Sequence, residues 1–435
     1  MLLNTPTLES ACEQALARYR GATRESARRY AKACEALPGG NTRTVLHYDP
    51  YPITLSRGSG SSVWDVDGHR YTDFLGEYSA GLYGHSNAHI RAAVKAALDD
   101  GIVFGAPNAF EAAFATILCE RFPSCERVRF CNSGTESNLT AINAARAFTG
   151  RSHVMVFNGA YHGSAFSFTA GASPSNAPYP FVIAEFNDLE HTLPLIERHA
   201  GELAAIVVEP MLGGGGCIPA ETEFLKALRD SAHQYGVVLI FDEVMTSRLS
   251  SGGLQAKLDV IPDLTTFGKY LGGGLTFGAF GGRRDIMDQF DPRSPNALPH
   301  AGTFNNNVLT MAAGLTGLRD IYTPDVARAH NARADAFRME LNGLFEERDV
   351  PAQATGIGSL MCVHFQRGAI RRPSDLSAVD PEVKMLFHLE MLAAGFYLAR
   401  RGYMSLSLPL GDEDYAGFRG ALGDFLDNYA PLFDS

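Results

Sequence analysis

Between about residues 90 and 285, short apolar runs alternate with stretches at helical spacing, and several of the runs are unbroken rather than alternating in polarity. They are Val128 to Cys131, Val154 to Phe157, Ala205 to Val208, Val237 to Phe241, Leu264 to Phe267 and Gly278 to Gly281. A strand that is apolar at every position needs cover on both faces, which helical crossovers give to parallel strands. The pattern predicts an α/β domain with a mostly parallel sheet flanked by helices. Ligands of such sheets sit beyond the carboxyl ends of the strands, so chemistry is expected in the residues that follow each run.

The flanks read differently. Leu8 to Ala36 mix Ala, Arg and Glu at helical spacing until Leu37-Pro38-Gly39-Gly40 interrupts them. Strand-like pieces follow at Tyr51 to Ser56, Ser62 to Val66 and Tyr71 to Phe74, the last two joined by an Asp67-Gly68 hairpin turn. After about residue 325 the order is helix (Val326 to Arg348), strands (Ser359 to Phe365, Gly402 to Leu408) and helix (Asp412 to Tyr429). The expected division is a large domain over 76–325 and a smaller α+β domain built from 1–75 and 326–435. Arg367 to Asp380, with Pro373, Ser374 and Ser377, reads as a mobile loop.

The formal charge of −11 argues against a nucleic-acid backbone or an anionic membrane as partner. Met1 to Glu9 lack the basic and apolar regions of a secretory signal, and no uncharged apolar run approaches the length of a membrane span. The 7 cysteines are scattered, with no Cys-x-x-Cys pair and no zinc spacing. A cytoplasmic chain with free thiols and no metal is the expectation.

Several of the predicted strands end in polar residues. Asn132-Ser133-Gly134-Thr135-Glu136 opens an Ala-rich helix and reads either as an anion cradle or as a simple N-cap. Asn158-Gly159-Ala160-Tyr161-His162-Gly163 offers a ring for stacking on a flat heterocycle, while His162 either tunes that heterocycle or packs. Glu209-Pro210 stands before the Gly213 to Gly216 run, as a ligand-side carboxylate or a loop cap. Gly302-Thr303-Phe304-Asn305-Asn306-Asn307 precedes an apolar helix and reads as a second phosphate contact or another N-cap. Gly268-Lys269 is no Walker A loop, since Asp263 replaces the first glycine and Tyr270 the Ser/Thr. Gly356-Ile357-Gly358 lacks the third glycine of a dinucleotide fingerprint.

Two residues give these motifs a common chemistry. Asp242 closes the run Val237 to Phe241, and Lys269 follows Phe267-Gly268 ahead of Gly272-Gly273-Gly274. A lysine amine that can condense with an aldehyde, and a carboxylate that keeps a pyridine nitrogen protonated, are the pair that pyridoxal phosphate chemistry requires.

In order and spacing, Ser133-Gly134-Thr135, Tyr161-His162-Gly163, Glu209-Pro210, Asp242-Glu243-Val244, Lys269 and Gly302-Thr303 resemble the class III, fold type I, pyridoxal 5′-phosphate-dependent aminotransferases over nearly the whole chain. The resemblance implies the fold type I architecture and a homodimer with shared active sites. It makes Lys269 the cofactor-bearing lysine and general base, pairs Asp242 with the pyridinium, stacks Tyr161 on the ring and packs Val244 behind it. Ser133, Gly134 and Thr135 would hold the phosphate, with Thr303 reaching it from the partner chain, and His162 and Glu209 would complete the cofactor site.

Within the class, the chain is most similar to the β-phenylalanine aminotransferases and the related glutamate-1-semialdehyde aminomutases. Met245-Thr246-Ser247-Arg248-Leu249 and Leu406-Ser407-Leu408-Pro409-Leu410 favour the aminotransferase side. Asn41-Thr42-Arg43-Thr44 matches the segment that supplies their carboxylate-binding arginine, and Arg401, next to Arg400, aligns with a second arginine of that pocket. The implied reaction moves an amino group from a β-amino acid to a 2-oxo acid such as 2-oxoglutarate or pyruvate. The alternative is an aminomutase acting within one molecule. Gly395-Phe396-Tyr397-Leu398, expected to line the side-chain pocket, departs from the family sequence.

Overall fold

The computed structural model describes residues 7–376 and 380–433. Its centre is a seven-stranded sheet in the order Arg127–Cys131, Gly278–Gly282, Leu264–Gly268, Val238–Asp242, Leu203–Val208, His153–Phe157, Phe181–Ala184. Gly278–Gly282 runs antiparallel to both neighbours, and every other pairing is parallel. The unbroken apolar runs have the expected cause. Leu239 and Phe241 pack with Phe224, Leu225 and Leu228 of helix Thr222–Tyr235, whereas Val238 and Ile240 pack with Ala141, Ile142 and Ala145 of helix Gly134–Thr149 on the opposite face. Adjacent residues of one strand are thus buried in two different cores. The edge strand Phe181–Ala184 was not among the predicted runs, although Phe-Val-Ile-Ala after a proline carries the same signature.

Ser62–Asp65 and Arg70–Asp73 form the predicted hairpin, with Gly68 at φ 97° in its turn. The strand before it begins at Leu55, not Tyr51. Three backbone groups between Tyr51 and Thr54 meet side chains instead: Tyr19 Oη donates to the Tyr51 carbonyl at 2.7 Å, and the Ile53 and Thr54 amides donate to Tyr48 Oη and Ser26 Oγ at 2.9 and 3.1 Å. The long N-terminal helix is likewise two, Leu8–Ala22 and Arg24–Cys34, broken at Thr23. The Asp67 carboxylate caps the second by accepting from the Glu25 and Ser26 amides at 2.6 and 3.0 Å.

A fourth strand, Phe396–Tyr397, joins this N-terminal sheet by pairing in parallel with Arg70–Asp73. One apolar cluster accordingly holds Tyr19, Tyr48 and Phe74 together with Phe337, Phe387, Phe418 and Leu426. Phe396 therefore turns into this core against Phe74 and Phe418 instead of lining a pocket. Gln353–Ile357, Leu360–His364 and Tyr403–Ser405 make a three-stranded sheet in which Gly356 to Gly358 serve the hairpin between the first two. In the stretch read as a mobile loop, Ser377 lies outside the described residues. The described part is anchored on the large sheet's flank, where Arg372 Nη1 donates to Asp188 at 2.7 Å and Asn187 Nδ2 to the Arg371 carbonyl at 2.6 Å. Among the described residues no helix is long and apolar enough to cross a membrane.

Candidate active site

The motif residues converge at the carboxyl ends of the parallel strands. Ser133 caps helix Gly134–Thr149 by accepting from the Glu136 amide, which leaves the first-turn amides around Gly134 and Thr135 facing the strand ends. Glycine is required here for close approach. A Cβ on Gly278 would lie 2.3 Å from the Ser133 carbonyl, and one on Gly134 would meet Val244 at 3.0 Å. A Cβ on Gly268 would likewise meet Val244, at 3.1 Å, so Val244 fills the space between the phosphate-type turn and the lysine turn.

Asp242 is buried and accepts three hydrogen bonds: from Asn138 Nδ2 at 2.8 Å, His162 Nδ1 at 2.8 Å and the Val244 amide at 3.0 Å. Burial pushes the His162 imidazole down, but the hydrogen bond and charge of Asp242 outweigh it, so its pKa is raised above the usual 6.5. The contribution of this pair to stability is complete below the unfolded value and fades as pH climbs through the raised folded one. Glu209 accepts from the Tyr161 and Gly213 amides, both at 2.9 Å, and burial pushes its carboxyl up to about 7. It thereby holds the backbone of Tyr161, a residue that stays 46% exposed and so accessible to a flat ligand. Thr135 lies against Gly163 and accepts from the Ser164 amide at 3.3 Å, which joins the Ser133 turn to the Tyr161 turn.

Lys269 leaves strand Leu264–Gly268 in the left-handed region at φ 53° and donates from Nζ to the Tyr78 carbonyl at 2.7 Å. Gly76, Glu77, Tyr78 and Ser79 carry φ of 53°, 47°, 52° and 79°, a left-handed run costing about 1–2 kcal/mol for each non-glycine residue. Arg248, fully buried, braces it by donating to the Ser79 carbonyl at 3.2 Å and to Ser405 Oγ at 2.9 Å. Arg43 lies 5.4 Å from the centre of the Tyr78 ring and is bonded to Glu77. Arg401 lies 5.6 Å from the same ring and 5.3 Å from that of Tyr403. Of the neighbouring arginines, it is thus Arg401 that meets Tyr78. Asn138, Tyr78, Glu77 and Arg248 were not singled out as site residues in the sequence, because a helical Asn and a loop without Gly at 77–79 carry no signal of these roles.

Thr303 is exposed, and its loop is tied to the Ser133 turn through Asn305 Oδ1, which accepts from Asn132 Nδ2 at 2.9 Å. An amine, a buried carboxylate with amide and imidazole donors, an aromatic ring and a helix N-terminus suit an aldehyde-bearing pyridine phosphate.

Burial, reinforced by Arg401 and Arg43, lowers the Lys269 amine to about 8 in spite of Asp242. Between that value and the ordinary 10.5, the unfolded chain holds a proton that the folded chain has released. Stability of the cofactor-free protein should therefore rise with pH across this window, by on the order of 3 kcal/mol in all. Urea midpoints at pH 7.5 and 9.5 check this. A Lys269→Met variant with the same slope as the parent would contradict it.

The family model described as aminotransferase class-III matches residues 46–382. The chain belongs to the class III aminotransferases. This class III chain is 48% identical over 427 residues to the β-phenylalanine transaminase of Variovorax paradoxus, covering 97% of this chain and 98% of that one. The crystal structure of a β-phenylalanine aminotransferase from the same organism superposes with a TM-score of 0.96 at 48% identity, covering 98% and 99%. A glutamate-1-semialdehyde aminomutase from Pseudomonas aeruginosa PAO1, at 24% identity and TM-score 0.89 over 97% and 98%, shares the fold.

Proposed function

We propose that this class III aminotransferase moves the amino group of a β-amino acid of the β-phenylalanine type to a 2-oxo acid such as 2-oxoglutarate or pyruvate. The observation that carries this reading is the convergence of Lys269, Arg43 and Arg401 on Tyr78, together with the relative named above. In a β-amino acid the amine-bearing carbon carries no carboxylate, so the acid must be gripped one atom further from the reacting centre, and Arg43, beside the Tyr78 ring, would give that grip in exchange for its contact with Glu77.

Pyridoxal 5′-phosphate, when bound, supplies an aldehyde carbon for the amine and a ring that takes up the electron pair released at the donor carbon. Ser133, Gly134 and Thr135, at the N-terminus of their helix, would hold its phosphate, and Thr303 of a second copy would complete the cradle. Asp242 would keep the ring nitrogen protonated, and His162 and Asn138 fix that carboxylate. Tyr161 and Val244 would sandwich its ring, with Glu209 setting the Tyr161 backbone. Lys269 is the amine that would hold the cofactor's aldehyde and serve as the base toward the amine-bearing carbon, and the Tyr78 carbonyl orients its Nζ.

The homodimer is supported by exposed Val103, Phe104 and Phe304, at 81%, 51% and 61%, whose loops are joined where Asn306 Nδ2 donates to the Ala106 carbonyl. Sedimentation at the mass of one chain would refute it. The 7 free cysteines support a cytoplasmic location, which fractionation of the source cells tests. The divisions near residues 75 and 325 are proposed on the shared apolar cluster of the two chain ends, and limited proteolysis checks them.

Turnover of β-phenylalanine should require a 2-oxo acid. Product formation without an acceptor would favour an aminomutase. Arg43→Gln should raise KM for the β-amino acid by roughly 10- to 100-fold, and an unchanged KM would remove Arg43 from the site.

A further inference from the structure

Arg43 already faces a carboxylate. Its guanidinium is bonded to Glu77, the residue next to the tyrosine on which it stacks. Arg401, on the same Tyr78 ring, has no carboxylate partner among the described residues, and its buried Nε lacks an acceptor. Two arginines around one ring therefore differ in kind: one is neutralised and the other open.

Glu77 reaches Arg43 from the left-handed run, at φ 47° between Gly76 at 53° and Tyr78 at 52°. Strain of this type persists where the surroundings enforce it, and it gathers at sites of function. The turn that aims the Tyr78 carbonyl at Lys269 also holds the Glu77 carboxylate against Arg43.

We infer that Glu77 is a resident counter-ion of Arg43, which an incoming substrate carboxylate must displace, and that it thereby sets how strongly the site favours acids over uncharged analogues. This rests on the proposed carboxylate-binding role of Arg43. Both side chains are more than two-fifths exposed, at 43% and 56%, so the pair is a weak one and exchange is accessible. Substrate carboxylate gains Arg43 only as Glu77 loses it, and the net gain is the difference between two similar contacts. With Glu77 in place the arginine stays discharged toward ligands that bring no carboxylate.

Two unreactive probes test this on the complete holoenzyme: 3-phenylpropanoate and its uncharged isostere 3-phenylpropanamide, each measured as an inhibitor. Glu77→Gln should lower the inhibition constant of the acid by roughly two- to fivefold, the range for an exposed ion pair, and leave that of the amide unchanged. In an Arg43→Gln background the same change at 77 should have no effect on either probe. An acid constant that stays the same or rises in Glu77→Gln, while Arg43→Gln weakens the acid, overturns the counter-ion and leaves the Arg43 assignment standing. An acid constant indifferent to Arg43→Gln overturns both. If acid and amide shift together in Glu77→Gln, the residue acts through the turn and the inference fails.

Discussion

Lys269→Ala should reduce kcat by at least about 10⁴-fold, because one side chain both anchors the cofactor and carries the proton at the reacting carbon. The structure gives the amine the properties for both tasks. Its pKa near 8 makes a useful fraction neutral at working pH, and the Tyr78 carbonyl at 2.7 Å holds its orientation. Single-turnover measurements with excess cofactor and β-phenylalanine separate the two losses, since added cofactor compensates for anchoring and not for proton transfer. Turnover within tenfold of the parent would take Lys269 out of the mechanism.

Asp242 should be nearly as sensitive, and its two substitutions should fail differently. Asp242→Ala strips His162 and Asn138 of their shared acceptor inside the protein. Breaking a buried charge pair of this kind costs about 3–5 kcal/mol, so a fall in thermal midpoint should accompany the loss of activity. Asp242→Asn keeps the shape and removes the charge. Burial, opposed only by the charge of Glu209, then governs His162, its pKa drops, and the fold should survive near neutral pH while kcat falls by about 10²- to 10⁴-fold. Near-parental kcat in the Asn variant would show that no charge is needed at the ring nitrogen.

The sequence made the large sheet legible because its strands are buried on both faces, which leaves unbroken apolar runs such as Val237 to Phe241. It was less informative where side chains replace backbone partners, as between Tyr51 and Thr54, and where a distant carboxylate sets a helix start, as Asp67 does for Arg24–Cys34. The cofactor-side residues were readable because each follows a strand in fixed order. Tyr78 and Glu77 were not, because their importance lies in backbone dihedrals that neither residue type prefers. Asn138 is one helical turn past Gly134, and only the folded helix brings it onto Asp242.

The parallel pairing of Phe396–Tyr397 with Arg70–Asp73 has a consequence for synthesis on the ribosome. At about 5–20 residues per second, the first-made strands wait on the order of tens of seconds for their last neighbour. Throughout that delay Arg70–Asp73 presents an unfilled edge, which a chaperone or a second nascent chain can occupy.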